Sequence, residues 1–213
     1  MIRLAVSVEG QTEEEFVNES LAPHLRCSDV YTTPVLIGRA RRRAKGGGNG
    51  TIDRLAREMR YLSRSFDAVT SLVDFYGFRG KGSKLPNDLV RAIRNRIGQF
   101  DERSVLPYVQ LHEFEGLLFS SVEAFGRILP DAPVADLKSI RSQFQTPEDI
   151  NDHPSAAPSK RIETLIPRYR KTLHGPLLAL EIGLDTIRSE CPRFNAWLGR
   201  LEALGDFETW PPT

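Results

Sequence analysis

Cysteine is scarce in this sequence: two, Cys27 and Cys191, in 213 residues. That excludes a disulfide-stapled secreted scaffold and a cysteine-rich zinc module, and no Cys/His spacing suggests a zinc site. Long apolar runs are missing as well. None approaches the roughly 20 residues a helix needs to span a bilayer, so no membrane role is expected. The stretch Met1–Val8 meets Glu9 before it could serve as the apolar region of a leader, and a soluble, cytoplasmic protein is the expectation. Signature loops are absent too. Gly46-Gly47-Gly48-Asn49-Gly50-Thr51 lacks the Gly-Lys-Ser/Thr ending of a Walker loop, and Gly80-Lys81-Gly82-Ser83-Lys84 lacks its spacing. No Gly-x-Ser-x-Gly elbow points to a hydrolase triad, and no internal repeat appears. What remains is 40% hydrophobic and 27% charged, a globular composition at a length suited to one large domain.

The charge is unevenly distributed. A formal net charge of +1 divides into three blocks. Residues 1–38 carry 2 basic and 6 acidic side chains, and residues 104–213 carry 11 and 15, so each block is −4. Residues 39–103 carry 16 basic and 7 acidic, a net +9. A basic middle on an acidic body suits a polyanionic partner such as nucleic acid; solvated helix faces with one basic loop are the plainer alternative. Within this block Arg39, Arg41, Arg42, Arg43 and Lys45 precede a glycine run, and Lys81 and Lys84 lie in a second glycine-containing loop. Both read as flexible clamps on a phosphodiester backbone.

Apolar runs and helical periodicities alternate through the first half. Ile2–Val8 reads as a buried strand, and Thr12 with Glu15 has capping-box form, giving a helix from Glu13 to about Leu21, ahead of Pro23. Val35–Gly38 is a short strand, and Ile52, Leu55, Ala56, Met59 and Leu62 share a helix face. Val69–Phe75 is a buried strand, Pro86 opens a helix, and Val105–Leu111 is a further strand. The alternation predicts an α/β fold with a mainly parallel sheet flanked by helices. Beyond His112 the spacing predicts helices over Phe114–Phe119, Val122–Leu129, Arg161–Tyr169, Leu177–Ser189 and Phe194–Leu204, with a loop between Pro147 and Ser159. This helical part is expected to pack on the first half.

Ligands of open α/β sheets collect at the carboxyl ends of the strands. Glu9 follows the first strand, Asp74 ends the Val69–Phe75 strand, and Glu113 and Glu115 follow the last. Such carboxylates can converge on a hard cation such as Mg²⁺. Each has a plainer role open to it: Glu9 as a helix cap, Asp74 as a turn acceptor with Gly77, His112 as a structural hydrogen-bonding residue. Glu113 and Glu115 lie two apart, about 200° around a helix, so one faces the site and the other binds a basic neighbour. Glu113, nearer the strand, is favoured.

Val8-Glu9-Gly10-Gln11-Thr12-Glu13, Asp74-Phe75-Tyr76-Gly77-Phe78 and His112-Glu113-Phe114-Glu115-Gly116-Leu117-Leu118-Phe119, in that order, resemble domain-of-unknown-function family 4276, a Toprim-like branch related to overcoming-lysogenization-defect nucleases. Pro158-Ser159-Lys160-Arg161 and Tyr169-Arg170-Lys171 extend the resemblance over nearly the whole chain. It implies a Toprim/Rossmann-like α/β core over residues 1–120, with residues 121–213 a helical part of the same unit. It also implies a phosphoryl-transfer site dependent on Mg²⁺ (or Mn²⁺), with Glu9 as acid/base or metal-linked residue and Asp74 as the first metal aspartate. The pattern's second aspartate is Tyr76 here, and Glu113 or Glu115 would supply the missing carboxylate. An ABC-type ATPase partner and a role in phage defence are further implications. A Mg²⁺-dependent nuclease is the function expected. The alternative is a catalytically weak module that binds nucleic acid or an ATPase and uses its acids structurally.

Overall fold

The computed structural model describes residues 1–37, 51–78, 85–101, 103–151 and 156–206. The Arg39, Arg41, Arg42, Arg43, Lys45, Lys81 and Lys84 clamps fall outside these residues.

Strand β1 (Ile2–Val8) leads through Gly10 into α1 (Gln11–Phe16). The cap is Gly10, not Thr12: Glu14 N–H donates to the Gly10 carbonyl, and Thr12 is buried inside the helix, so no capping box forms. Nor does the helix stop before Pro23. It widens into a π turn at Val17–Leu21 and continues as α2 (Ala22–Arg26). Pro23 follows directly on this π turn, whose wider spacing accommodates a residue that cannot donate a backbone hydrogen bond. Strand β2 (Val30–Leu36) starts earlier than its sequence suggests. Pro34 obscures the strand, and tolerates its place there because β2 is an edge of the sheet.

Helix α3 (Ile52–Leu62) is capped by Thr51, whose hydroxyl accepts from Arg54 N–H at 3.2 Å. Strand β3 (Ala68–Asp74) is buried throughout, and α4 (Pro86–Ile97) follows. The single strand expected over Val105–Leu111 is two short pieces, β4 (Val105–Leu106) and β5 (Val109–Gln110). Pro107 has no N–H for a ladder. Ser71 of β3 bridges the gap: its hydroxyl donates to the Tyr108 carbonyl at 2.8 Å and accepts from Tyr108 N–H at 3.0 Å.

All pairings are parallel, in the order β2-β1-β3-β4, with β5 also on β3. The chain passes from β1 outward to β2, then across to β3 on the other side of β1. The crevice between the carboxyl ends of β1 and β3 is therefore a topological switch point. Alternation divides the sheet's residues between two cores. Ala5, Val69, Val73, Val105 and Val109 pack under α3 and α4. Leu4, Val6, Val8, Leu72 and Leu106 face α1, α2 and the carboxyl-terminal helices.

Those helices begin after a 3₁₀ segment, Phe114–Ser120, where an α-helix was expected. They are α5 (Glu123–Ile128), α6 (Val134–Arg141), α7 (Pro158–Leu165), α8 (Lys171–Ile182), α9 (Leu184–Glu190) and α10 (Pro192–Glu202). The sequence signal missed α6, and the helix it placed over Leu177–Ser189 breaks at Gly183, whose φ of 80° suits glycine. Trp197 of α10 donates to the Thr70 hydroxyl of β3 at 2.8 Å and stacks on Tyr108, and Phe16 meets Phe114 edge-on at 5.1 Å. The later helices thus share one core with the sheet. Among the described residues no helix is long and apolar enough to cross a membrane.

Candidate acidic site at the switch point

Val8 pairs with Leu72, so Glu9, one residue on, and Asp74, the last of β3, emerge at the same carboxyl edge. The turn after β3 closes through Gly77 N–H donating to the Asp74 carbonyl at 3.2 Å. A Cβ on Gly77 would lie 2.6 Å from Glu9 Oε2, so the Glu9 carboxylate rests directly on this glycine. Any larger residue there would push Glu9 out of the crevice.

Asp74 is fixed from the other side. Its Oδ1 accepts from Phe114 N–H at 2.8 Å, and its Oδ2 faces the Lys171 ammonium at 3.8 Å. Lys171 also donates to Glu115 Oε2 at 2.9 Å, and Glu115 is wholly buried. Glu13, buried in α1, contributes a further negative charge nearby. The cluster is thus four carboxyl groups gathered about one lysine.

Its electrostatics follow from that imbalance. Burial, and then the Glu13 charge, push Glu9 up to about 7 against the opposing pull of Lys171. Burial raises Asp74 well above the ordinary carboxylate range; Lys171 opposes this, while Glu13, Glu9 and Glu115 add to it. Glu115 is raised by burial against Lys171. Burial alone would lower Lys171, but Asp74, Glu115 and Glu13 outweigh it and hold the ammonium charged. Glu9 Oε1, Glu115 Oε1 and the Tyr169 hydroxyl are buried with no hydrogen-bond partner in this structure.

Glu9, Asp74 and Glu115 come together around Lys171. Glu113, favoured over Glu115 by its sequence position, is held elsewhere: its Oε2 accepts from Ser159 N–H at 3.0 Å, in the first turn of α7. The two glutamates do diverge, but the inner one is the second. Tyr76 presents no carboxylate, and its hydroxyl is hydrogen-bonded by the Asn151 side chain. Its ring stacks on His112 at 5.6 Å, and Asn151 also lies 3.1 Å from His112 Nδ1. His112 adopts a φ of 67°, where the chain turns from β5 into the 3₁₀ segment.

Sequence reasoning assigned no role to Lys171 or Glu13. Lys171 had one signal. It is the first residue of α8, where the positive end of the helix dipole disfavours a cation, so its presence there calls for nearby acids.

The donors are all oxygens, which suits a hard cation that keeps several waters and takes one or two carboxylates. Glu9, with its orphaned oxygen, and Asp74 fit that requirement. A ready-made group of three or more His, Cys, Asp or Glu ligands does not occur among the described residues; the Lys171 ammonium sits against Glu115 and Asp74 instead.

The family described as a domain of unknown function, DUF4276, matches residues 8–202 of this chain. Among solved structures, the C-terminal region of the Xanthomonas campestris pv. campestris OLD protein phased with iodine is 16% identical, with 96% of each chain covered and a TM-score of 0.46. The same region phased with platinum is 16% identical at a TM-score of 0.45, covering 97% of this chain and 95% of that one. No curated protein matches.

Proposed function

The chain belongs to the DUF4276 family, and on that premise we propose that it is a divalent-cation-dependent phosphoryl-transfer protein, a nuclease acting on nucleic-acid phosphodiesters. The observation that carries the reading is the pairing of Glu9 and Asp74 in the switch-point crevice, with a buried Glu9 oxygen lacking a partner. Glu9 and Asp74 would hold the cation, Mg²⁺ or Mn²⁺, which when bound neutralises charge developing on phosphoryl oxygens.

The protein's own groups have separate tasks. Phe114 N–H fixes the orientation of Asp74. Lys171 favours the charged forms of Asp74 and Glu115 and sets the local potential. Without a cation, Glu9 is raised to about 7 and holds a proton near neutral pH, so a cation taken up there would displace that proton. Glu115, tied to Lys171, is the carboxylate that stands in for the aspartate replaced by Tyr76. Arg39, Arg41, Arg42, Arg43, Lys45, Lys81 and Lys84 would grip the phosphodiester backbone, and an ABC-type ATPase would be the partner.

The test is cleavage of labelled DNA and RNA by the purified protein with Mg²⁺ or Mn²⁺. Glu9→Gln and Asp74→Asn are each expected to abolish cleavage while leaving the fold and nucleic-acid affinity intact, and Glu113→Ala is expected to cleave like the parent. Parent-like cleavage by both site variants would overturn the reading. One observation favours a second reading, a binding module with a structural acidic cluster: Lys171 already neutralises part of the cluster. Nucleic-acid binding without cleavage under any divalent cation would establish it.

A further inference from the structure

A cavity of about 700 Å³ lies away from the carboxylates, between α4, the loop that follows it and the start of β4. Arg91, Arg94, Asn95, Gln99 and Phe100 line it. A second cavity, about 290 Å³, shares Asn87 and Val90 with the first and is walled by Arg193, Trp197 and Arg200 of α10. Together they form a trough along the β4 edge of the sheet.

Its charge is only partly spent internally: Arg193 Nη1 donates to Asn87 Oδ1 at 2.8 Å, and its guanidinium charge acts on the buried Glu148. Arg96, on another face of α4, pairs with Asp53, and Arg91 pairs with Asp88 at 2.7 Å, close to water. Arg94 and Arg193 each carry a buried Nε without a hydrogen-bond partner. An unpaired buried guanidinium N–H carries a desolvation cost that an incoming acceptor would relieve. Asp101 is the acidic residue lining the larger cavity, and its carboxylate accepts from Arg103 N–H at 3.0 Å. The Phe100 ring, on a residue 39% exposed, is open to contact.

We infer that this trough binds single-stranded nucleic acid, with Arg94, Arg193 and Arg200 on phosphates and Phe100 under a base. A basic groove combined with an exposed aromatic ring is the common solution for single strands, since every base has a face to stack and every nucleotide a phosphate. Side-chain amides at Asn95 and Gln99 add donors and acceptors for base edges or sugar hydroxyls. The trough also accounts for part of the +9 middle block that the acidic site leaves unused. It shares only the class of ligand with the nuclease reading and needs no cation.

Fluorescence anisotropy of a labelled 12-nucleotide single strand, with the full chain in EDTA across a salt series, tests the inference. Arg94 and Arg200 are chosen because neither side chain has an ion pair to another described residue. The double variant Arg94→Gln/Arg200→Gln is expected to flatten the log–log salt slope by about 1.4, at roughly 0.7 per lost phosphate contact. Phe100→Ala is expected to weaken binding about fivefold or more with the slope unchanged. Parent-like slope and affinity in both variants would overturn the inference, as would absence of binding by the parent. Displacement of the strand by poly-glutamate at equal charge concentration, with Phe100→Ala silent, would mark the trough as a face for an acidic protein and overturn it too. Because no metal is present, these results are independent of the cleavage assay: the trough can fail while Glu9 and Asp74 prove catalytic, and the reverse.

Discussion

The two faces of the sheet are built on different principles. Under α3 and α4 the core is apolar apart from the hydroxyls of Ser7 and Ser71, with Leu55, Met59, Leu89 and Ile93 meeting valines of β3, β4 and β5. On the opposite face a larger, phenylalanine-rich core borders a cluster in which Asp74, Glu115 and Glu13 are buried beside Lys171. The first face is covered by helices adjacent in sequence to the strands they cover. The second is covered largely by helices from the far half of the chain. Ionisable groups are buried where distant segments meet, because only there can an acid from one segment face a lysine from another.

Changing one side chain on each face gives the largest expected contrast. Leu89→Ala, wholly buried under α4, should cost about 3 kcal/mol in urea unfolding through the cavity it leaves, equally at pH 5 and pH 8. Lys171→Met on the other face should cost about 2–3 kcal/mol at pH 8. That is less than for a fully enclosed pair, because the lysine side chain is 37% exposed. At pH 5 the loss should shrink, since protonated acids need no counter-charge. Equal losses at both pH values would erase the distinction between the faces.

Glu9 sharpens the same contrast. Its folded value, about 7, lies above the ordinary 4.5, so the fold holds the proton more tightly than the unfolded chain does. The favourable contribution is full below about pH 4.5 and is lost as pH rises through 7. Glu9→Gln removes that loss. In EDTA the variant should exceed the parent by about 1–3 kcal/mol at pH 8 and match it near pH 4. The smallest effect is expected at Glu113, outside the cluster. Glu113→Ala should cost about 1 kcal/mol in urea unfolding by exposing the α7 amide it caps. A catalytic loss in this variant would move Glu113 back into the site.

This division of faces also explains what the sequence could reveal. Ile2–Val8, Ala68–Asp74, and the apolar stripes of α3 and α4 are local patterns, and they placed the sheet and the carboxyl-edge positions of Glu9 and Asp74. Where a helix or strand is interrupted, the local pattern misled. Pro34 hid β2, Pro107 split a strand that Ser71 holds together, and Gly183 divided a helical run. The choice between Glu113 and Glu115 was beyond local reasoning, because it depends on Ser159 and Lys171, more than forty positions away in the chain. Tyr169-Arg170-Lys171 was visible as a motif, but nothing in its own spacing gives the lysine its task.

The hydrogen bond from Phe114 N–H to Asp74 Oδ1 gives the crevice its own spectroscopic reporter. An amide proton bound to a carboxylate resonates at a frequency that depends on whether the carboxylate is charged. The amide belongs to the backbone that enters the 3₁₀ segment carrying Glu115. A single backbone resonance, that of Phe114, will therefore register a proton, a cation or a phosphate arriving at Asp74, with no label placed in the site and no reaction needed to see it.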